Sequence, residues 1–178
     1  MAAPDTAPMP LPHFAVAPRV LIVAAPFYRR LADQLIAGAR ATLEQAGATH
    51  ELAEVPGALE IPTAIHLAAA ARRFDAYVAL GCVIRGETTH YETVCNDSSR
   101  GLMLLGVERG LAIGNGILTC ETMAQAEVRA DPEQADKGGG AAAAALHLLA
   151  LAERFRQGGD GGEGPEVLYA TSALTRTA

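Results

Sequence analysis

The sequence predicts an α/β fold: one three-layer α/β/α domain in which helices cover both faces of a four-stranded parallel sheet. Three observations predict it. Short, continuous apolar runs recur along the chain, as buried parallel strands require. Segments with helical apolar spacing separate them, so strand and helix alternate. At 178 residues the chain is long enough for one well-buried domain and too short for two ordinary ones.

The first strand is Val20-Leu21-Ile22-Val23, apolar throughout. Leu31, Leu35, Ala39, Leu43 and Ala46 then recur at helical spacing, and Gly47 supplies a stop. A second strand is placed at residues 51–55, where Glu51 and Glu54 alternate with apolar neighbours. After Pro56-Gly57 a helix buries Ile61, Ala64, Ile65 and Ala68, with Pro62 tolerated in its first turn. Residues 76–84, apolar apart from Tyr77, form the strongest strand.

A helix over 89–109 follows, with Val94, Ser98, Gly101, Leu102 and Leu105 inward and Gly110 closing it. The fourth strand is placed at 112–119, then a short helix from Thr122 and a long alanine-rich one over 139–156. This order gives a doubly wound, flavodoxin-like topology spanning residues 18–156. Residues 1–17 are proline-rich and read as a flexible arm. Residues 157–178, rich in Gly and Glu at their start, read as a mobile tail.

Composition narrows the function classes. Half the residues are apolar and only 4% aromatic, so small aliphatic side chains form most of the core. A net charge of −6 without a basic block argues against nucleic-acid binding. Cys82, Cys95 and Cys120 contain no CxxC and form neither a disulfide framework nor a zinc site by spacing. His13, His50, His66 and His147 lack partners at metal-ligand spacing, so no metal is expected. No secretory signal is visible near the start. The longest apolar run, residues 141–152, falls short of the roughly 20 residues a membrane span needs. A cytoplasmic protein without membrane partners is the expectation.

Ligands of such sheets bind beyond the carboxyl ends of the strands. The richest loop there is Ile84-Arg85-Gly86-Glu87-Thr88-Thr89-His90, which leads from a buried strand into a helix start. Backbone N–H groups, hydroxyls and the positive end of a helix dipole make an anion site, and His90 stands beside it able to exchange a proton. The same residues also read as a capping threonine followed by an exposed imidazole. In Pro56-Gly57-Ala58-Leu59-Glu60, the glycine permits close backbone approach and Glu60 places an acid in a first turn; helix capping, with Glu favoured by the dipole, is the commoner use of such a segment. Phe27, directly after the first strand, is either a stacking surface for a flat heterocycle or rim packing. Arg129 and Lys137 flank the loop 131–136 and would suit a phosphate, although solvated surface charge is the commoner use of such pairs. There is no GxxxxGK[ST], GxGxxG or GxSxG motif.

Four segments, in order, resemble lumazine synthases. Val55-Pro56-Gly57-Ala58-Leu59-Glu60-Ile61-Pro62 is similar to the family's VPGAFEIP. Leu80-Gly81-Cys82-Val83-Ile84-Arg85-Gly86-Glu87-Thr88-Thr89-His90 is similar to LGxVIRGxTxH, the most specific of the set. Gly116-Ile117-Leu118-Thr119 matches GVLT, and Asp136-Lys137-Gly138 matches NKG. The resemblance covers residues 19–155.

It implies a condensation of 5-amino-6-ribitylamino-uracil with 3,4-dihydroxy-2-butanone 4-phosphate to 6,7-dimethyl-8-ribityllumazine, without cofactor or metal. By the same resemblance, Phe27 stacks on the pyrimidine, and Ala58, Leu59, Glu60, Cys82, Val83 and Ile84 line its pocket. Glu87 and Thr88 hold the phosphate, Arg129 pairs with it, and His90 moves protons. The resemblance further implies a homopentamer with sites between subunits, where Asn115, Arg129 and Lys137 complete the pocket of an adjacent chain. Three positions depart from the family pattern: Pro26-Phe27-Tyr28 replaces RFN, Leu59 replaces an aromatic, and Asn115 stands where an aromatic often closes the pocket. Those departures leave open a second reading, a pentameric flavin- or lumazine-binding protein with feeble turnover.

Overall fold

The structure, a computed structural model, describes residues 9–156. The tail expected over 157–178 and the first eight residues of the arm lie outside them. Four strands and five helices alternate along the chain until β4, after which two helices follow. The strands are β1 (Arg19–Ala24), β2 (Thr49–Glu54), β3 (Ala76–Ile84) and β4 (Ile113–Cys120). They form one sheet in the order β2-β1-β3-β4, and every pairing is parallel. Strand β1 therefore starts in the middle, and the sheet grows outward on both sides of it.

Position in that order explains the composition of each strand. In β3, between two neighbours, Ala76 through Cys82 are buried. In β1, every residue after Arg19 is buried. At the edge, β2 alternates exposed and half-buried residues, so the polar Thr49 and His50 pair with Arg19 and Val20. This strand begins two residues before the expected 51–55, because an edge strand half in water does not need an apolar start.

Successive strand residues face opposite layers. Val20, Ile22, Val78 and Leu80 pack with Leu31, Leu35 and Leu43 of α1 (Arg29–Gln45), Ala126 of α4 (Met123–Ala130) and Leu146 of α5 (Lys137–Arg156). Leu21, Val23, Tyr77 and Ala79 pack on the other face with Ile61 and Ile65 of α2 (Glu60–Ala70) and Leu102 and Leu105 of α3 (His90–Arg109). Within the arm, Leu11 and Phe14 lie against the first of these cores.

Helix α5 begins at Lys137, two residues before the expected start, despite three consecutive glycines. Asp136 caps it: the carboxylate accepts from the Gly139 N–H at 3.0 Å, and the carbonyl accepts from Gly140 N at 2.9 Å. Gly138 in α5 and Gly114 in β4 serve packing. A methyl group at Gly138 would overlap the Leu35 carbonyl, and one at Gly114 would overlap the Ala141 carbonyl. Helix α5 thus lies directly on α1 and β4 at backbone-to-backbone distance.

Candidate functional site

The carboxyl ends of β1, β2 and β3 open onto one cavity of about 440 Å³. Each strand delivers its loop there. From β1 come Ala25, Phe27 and Tyr28; beyond β2 come Pro56, Gly57, Ala58, Leu59 and Glu60; from β3 come Cys82, Val83 and Ile84. The turn into α3 adds Gly86, Thr88, His90, Tyr91 and Val94.

Nine of the residues singled out from the sequence meet in this cavity: Phe27, Ala58, Leu59, Glu60, Cys82, Val83, Ile84, Thr88 and His90. Glu87, Asn115, Arg129 and Lys137 do not line it within one chain. Asn115 sits on the exposed edge of β4, where its side-chain oxygen accepts from the Ile117 N–H at 3.0 Å. That bond occupies an edge donor and gives Asn115 a local structural role. Arg129 donates to the Gln125 carbonyl at 2.9 Å, and Lys137 is an exposed residue in the first turn of α5.

Sequence reasoning missed Tyr28, Tyr91 and Val94. The two tyrosines directly follow Phe27 and His90, so adjacency was the available signal. Val94, assigned to the inner face of α3, lies one turn beyond His90 and meets both the core and the cavity.

Phe27 is 73% exposed at the rim of the cavity, a position from which its ring can meet a flat ligand. Tyr28 meets it edge to face. At the opposite loop, the Glu60 carboxylate folds back over Gly57; a methyl group there would come within 2.8 Å of its oxygen. Glycine at that position makes room for the acid.

In all three helices that start at the cavity, the residue before the first turn makes no side-chain capping bond: Tyr28 before α1, Leu59 before α2 and Thr89 before α3. The capping-threonine reading of this turn survives in part: Thr88, one residue before Thr89, accepts from the His90 N–H at 3.4 Å, and His90 is exposed. The α3 start turns the positive end of its dipole toward the cavity, with Glu92 as the acidic residue of its first turn.

The cavity is mostly apolar, and none of its lining residues is Lys or Arg. Burial first, and the adjacent Cys120 second, push the Cys82 thiol up to about 12. It is a neutral wall at physiological pH and not a nucleophile. The chemistry available is stacking, backbone hydrogen bonding, an acid at Glu60 and proton exchange at His90. Among the described residues, no group of His, Cys, Asp and Glu is placed to hold a metal ion, and no helix is long and apolar enough to cross a membrane.

The sequence profile of the 6,7-dimethyl-8-ribityllumazine synthase family matches residues 17–153. Several curated proteins of that name are close relatives. The Sphingopyxis alaskensis protein is 60% identical over 136 residues, covering 76% of this chain and 96% of the relative. That of Novosphingobium aromaticivorans is 60% identical over 137 residues, covering 77% and 98%. A Jannaschia protein is 52% identical over 145 residues, covering 82% and 81%. The matched span takes in all four strands, all the loops around the cavity and most of α5, so this chain belongs to the 6,7-dimethyl-8-ribityllumazine synthase family.

Proposed function

We propose that the cavity carries out the reaction that the family name describes, joining 5-amino-6-ribitylamino-uracil to 3,4-dihydroxy-2-butanone 4-phosphate. One observation carries the reading: a single cavity brings the Phe27 ring, the 57–60 and 82–84 segments, the Thr88 turn and His90 together. Phe27 stacks on the pyrimidine, and Ala58, Leu59, Glu60, Cys82, Val83 and Ile84 surround it. Glu87 and Thr88, at the start of α3, receive the phosphate.

The pyrimidine amine adds to the ketone, and loss of water gives an imine. Removal of a proton expels phosphate, and closure of the second ring releases another water. Each step moves protons and none changes oxidation state overall, so placement of two reactants and a proton carrier suffices, without metal or nucleotide. His90 is the carrier.

The phosphate also needs a cation, and the cavity of one chain offers none. We propose that Arg129 supplies it from a neighbouring chain in a homopentamer, with Asn115 and Lys137 beside it. Exposed apolar side chains on α3, Met103, Leu104 and Val107, support burial of that helix between chains. The assembly works in the cytoplasm, where both soluble substrates would meet.

The test is direct. Purified protein given both substrates, without metal or nucleotide, should form a product with lumazine absorbance and fluorescence. Tight lumazine binding with no turnover would instead establish a binding protein. Light scattering should return the mass of five chains, and a monomer would remove the shared site.

A further inference from the structure

Arg85 lies outside the cavity lining, yet it joins three elements around it. Its backbone N–H donates to the Cys120 carbonyl at 2.9 Å, adding one rung beyond the β3–β4 ladder. Its Nε donates to Glu121, in the turn after β4, at 2.5 Å. Its Nη1 bonds Glu92 in the first turn of α3. The guanidinium also lies 4.2 Å from the centroid of the Tyr91 ring, which itself lines the cavity.

We infer that Arg85 is a positioning residue for the proposed condensation: its guanidinium clamps Tyr91 and Glu92 to the exit of β4 and so fixes Thr88 and His90 against the cavity. This rests on the function proposed above. The observations converge on a need for such a clamp. Thr89, the residue before α3, makes no side-chain cap bond, and Thr88 reaches the His90 N–H only at 3.4 Å. Glu92 and Glu121 come from separate elements and are brought to one cation, so without it two carboxylates would repel across the turn. One Glu92 oxygen, Oε2, is buried and accepts no hydrogen bond among the described residues, which makes its carboxylate depend on the Arg85 contact at the other oxygen.

The geometry demands arginine. A guanidinium offers donors in several in-plane directions while its flat face covers a ring; a lysine ammonium is a point charge and cannot serve two carboxylates and a stack together. Small displacements matter in a reaction driven by placement, where about 1 Å of misplacement can cost two orders of magnitude.

The experiment compares wild type, Arg85→Lys and Arg85→Ala in the two-substrate assay, with pyrimidine binding and amide exchange measured alongside. For Arg85→Lys, kcat should fall about tenfold or more, while the dissociation constant for the pyrimidine changes less than about twofold because Phe27 is untouched. Amide exchange should accelerate over residues 88–93 and remain unchanged in β1. Millimolar methylguanidine should restore part of the turnover of Arg85→Ala. Unchanged kcat in Arg85→Lys, or loss of pyrimidine binding in parallel with activity, would overturn the clamp. Absence of product from the wild type would overturn the functional reading itself, while the exchange data would still report on the clamp.

Discussion

The rings of Phe27 and Tyr28 meet edge to face, with centroids 5.1 Å apart and planes inclined at 74°. Phe27 projects into solvent, whereas Tyr28 is half-buried and packs against the α1/α5 core. The second ring anchors the first. Tyr28→Ala should therefore weaken pyrimidine binding by about 0.5–1.5 kcal/mol, the worth of such a pair. Phe27→Ala should weaken it at least as much. Calorimetric titration with the pyrimidine substrate checks both, and full affinity in Tyr28→Ala would show that Phe27 needs no support.

Among the described residues, His90 is the only imidazole that lines the cavity. His90→Gln keeps a polar side chain of similar reach but cannot take up a proton. Turnover should drop about tenfold or more, with little change in pyrimidine affinity. Steady-state kinetics decide it; an unaffected kcat removes His90 from proton transfer.

Gly57→Ala places a methyl group 2.8 Å from the Glu60 carboxylate. The end of a flexible side chain yields easily, so thermal stability should shift by less than about 1 kcal/mol. The carboxylate, however, must leave its present position. A fall in kcat at nearly constant melting temperature is the expected signature. Equal loss of both would mean that the loop, not the acid, was disturbed.

At Gly138 the obstacle is backbone. The added methyl of Gly138→Ala meets the Leu35 carbonyl, which cannot move without shifting α1 against α5. A loss of about 3 kcal/mol is expected, or roughly 6–12 °C in melting temperature for a domain of this size. Scanning calorimetry measures it.

His147 on α5 is half-buried, and its Nδ1 is buried without a hydrogen-bond partner among the described residues. Burial lowers its pKa from the ordinary 6.5. The unfolded chain then binds the proton more readily than the folded one. Its contribution to stability is present above pH 6.5 and declines as pH falls through the window below that value. Melting temperatures from pH 5 to 7.5 should rise with pH more steeply in wild type than in His147→Leu. Parallel curves would assign the slope to other groups.

Much of this protein was legible in its residues. The continuous runs at β1 and β3 identify central strands, because only strands buried on both faces tolerate unbroken aliphatic sequence. The segments 57–60 and 82–90 stand out by their chemistry, since glycines, hydroxyls, an acid and an imidazole cluster where strand passes into helix, and most of their residues line the one cavity. Local composition fixes such features locally. The start of α5 was not legible, because Lys137-Gly138-Gly139-Gly140 has poor helix propensity and forms only under the Asp136 cap and close packing on α1 and β4. Neither was the role of Asn115, whose bond to Ile117 N matters only because β4 lies at the sheet edge. Tertiary structure alone decided that Tyr28 and Tyr91 join the cavity and that Arg85 reaches Glu92 and Glu121 at once. Sequence specifies which groups are available, but distances between residues 36 positions apart, as for Arg85 and Glu121, are set by the stagger of parallel strands and by the helices packed across them.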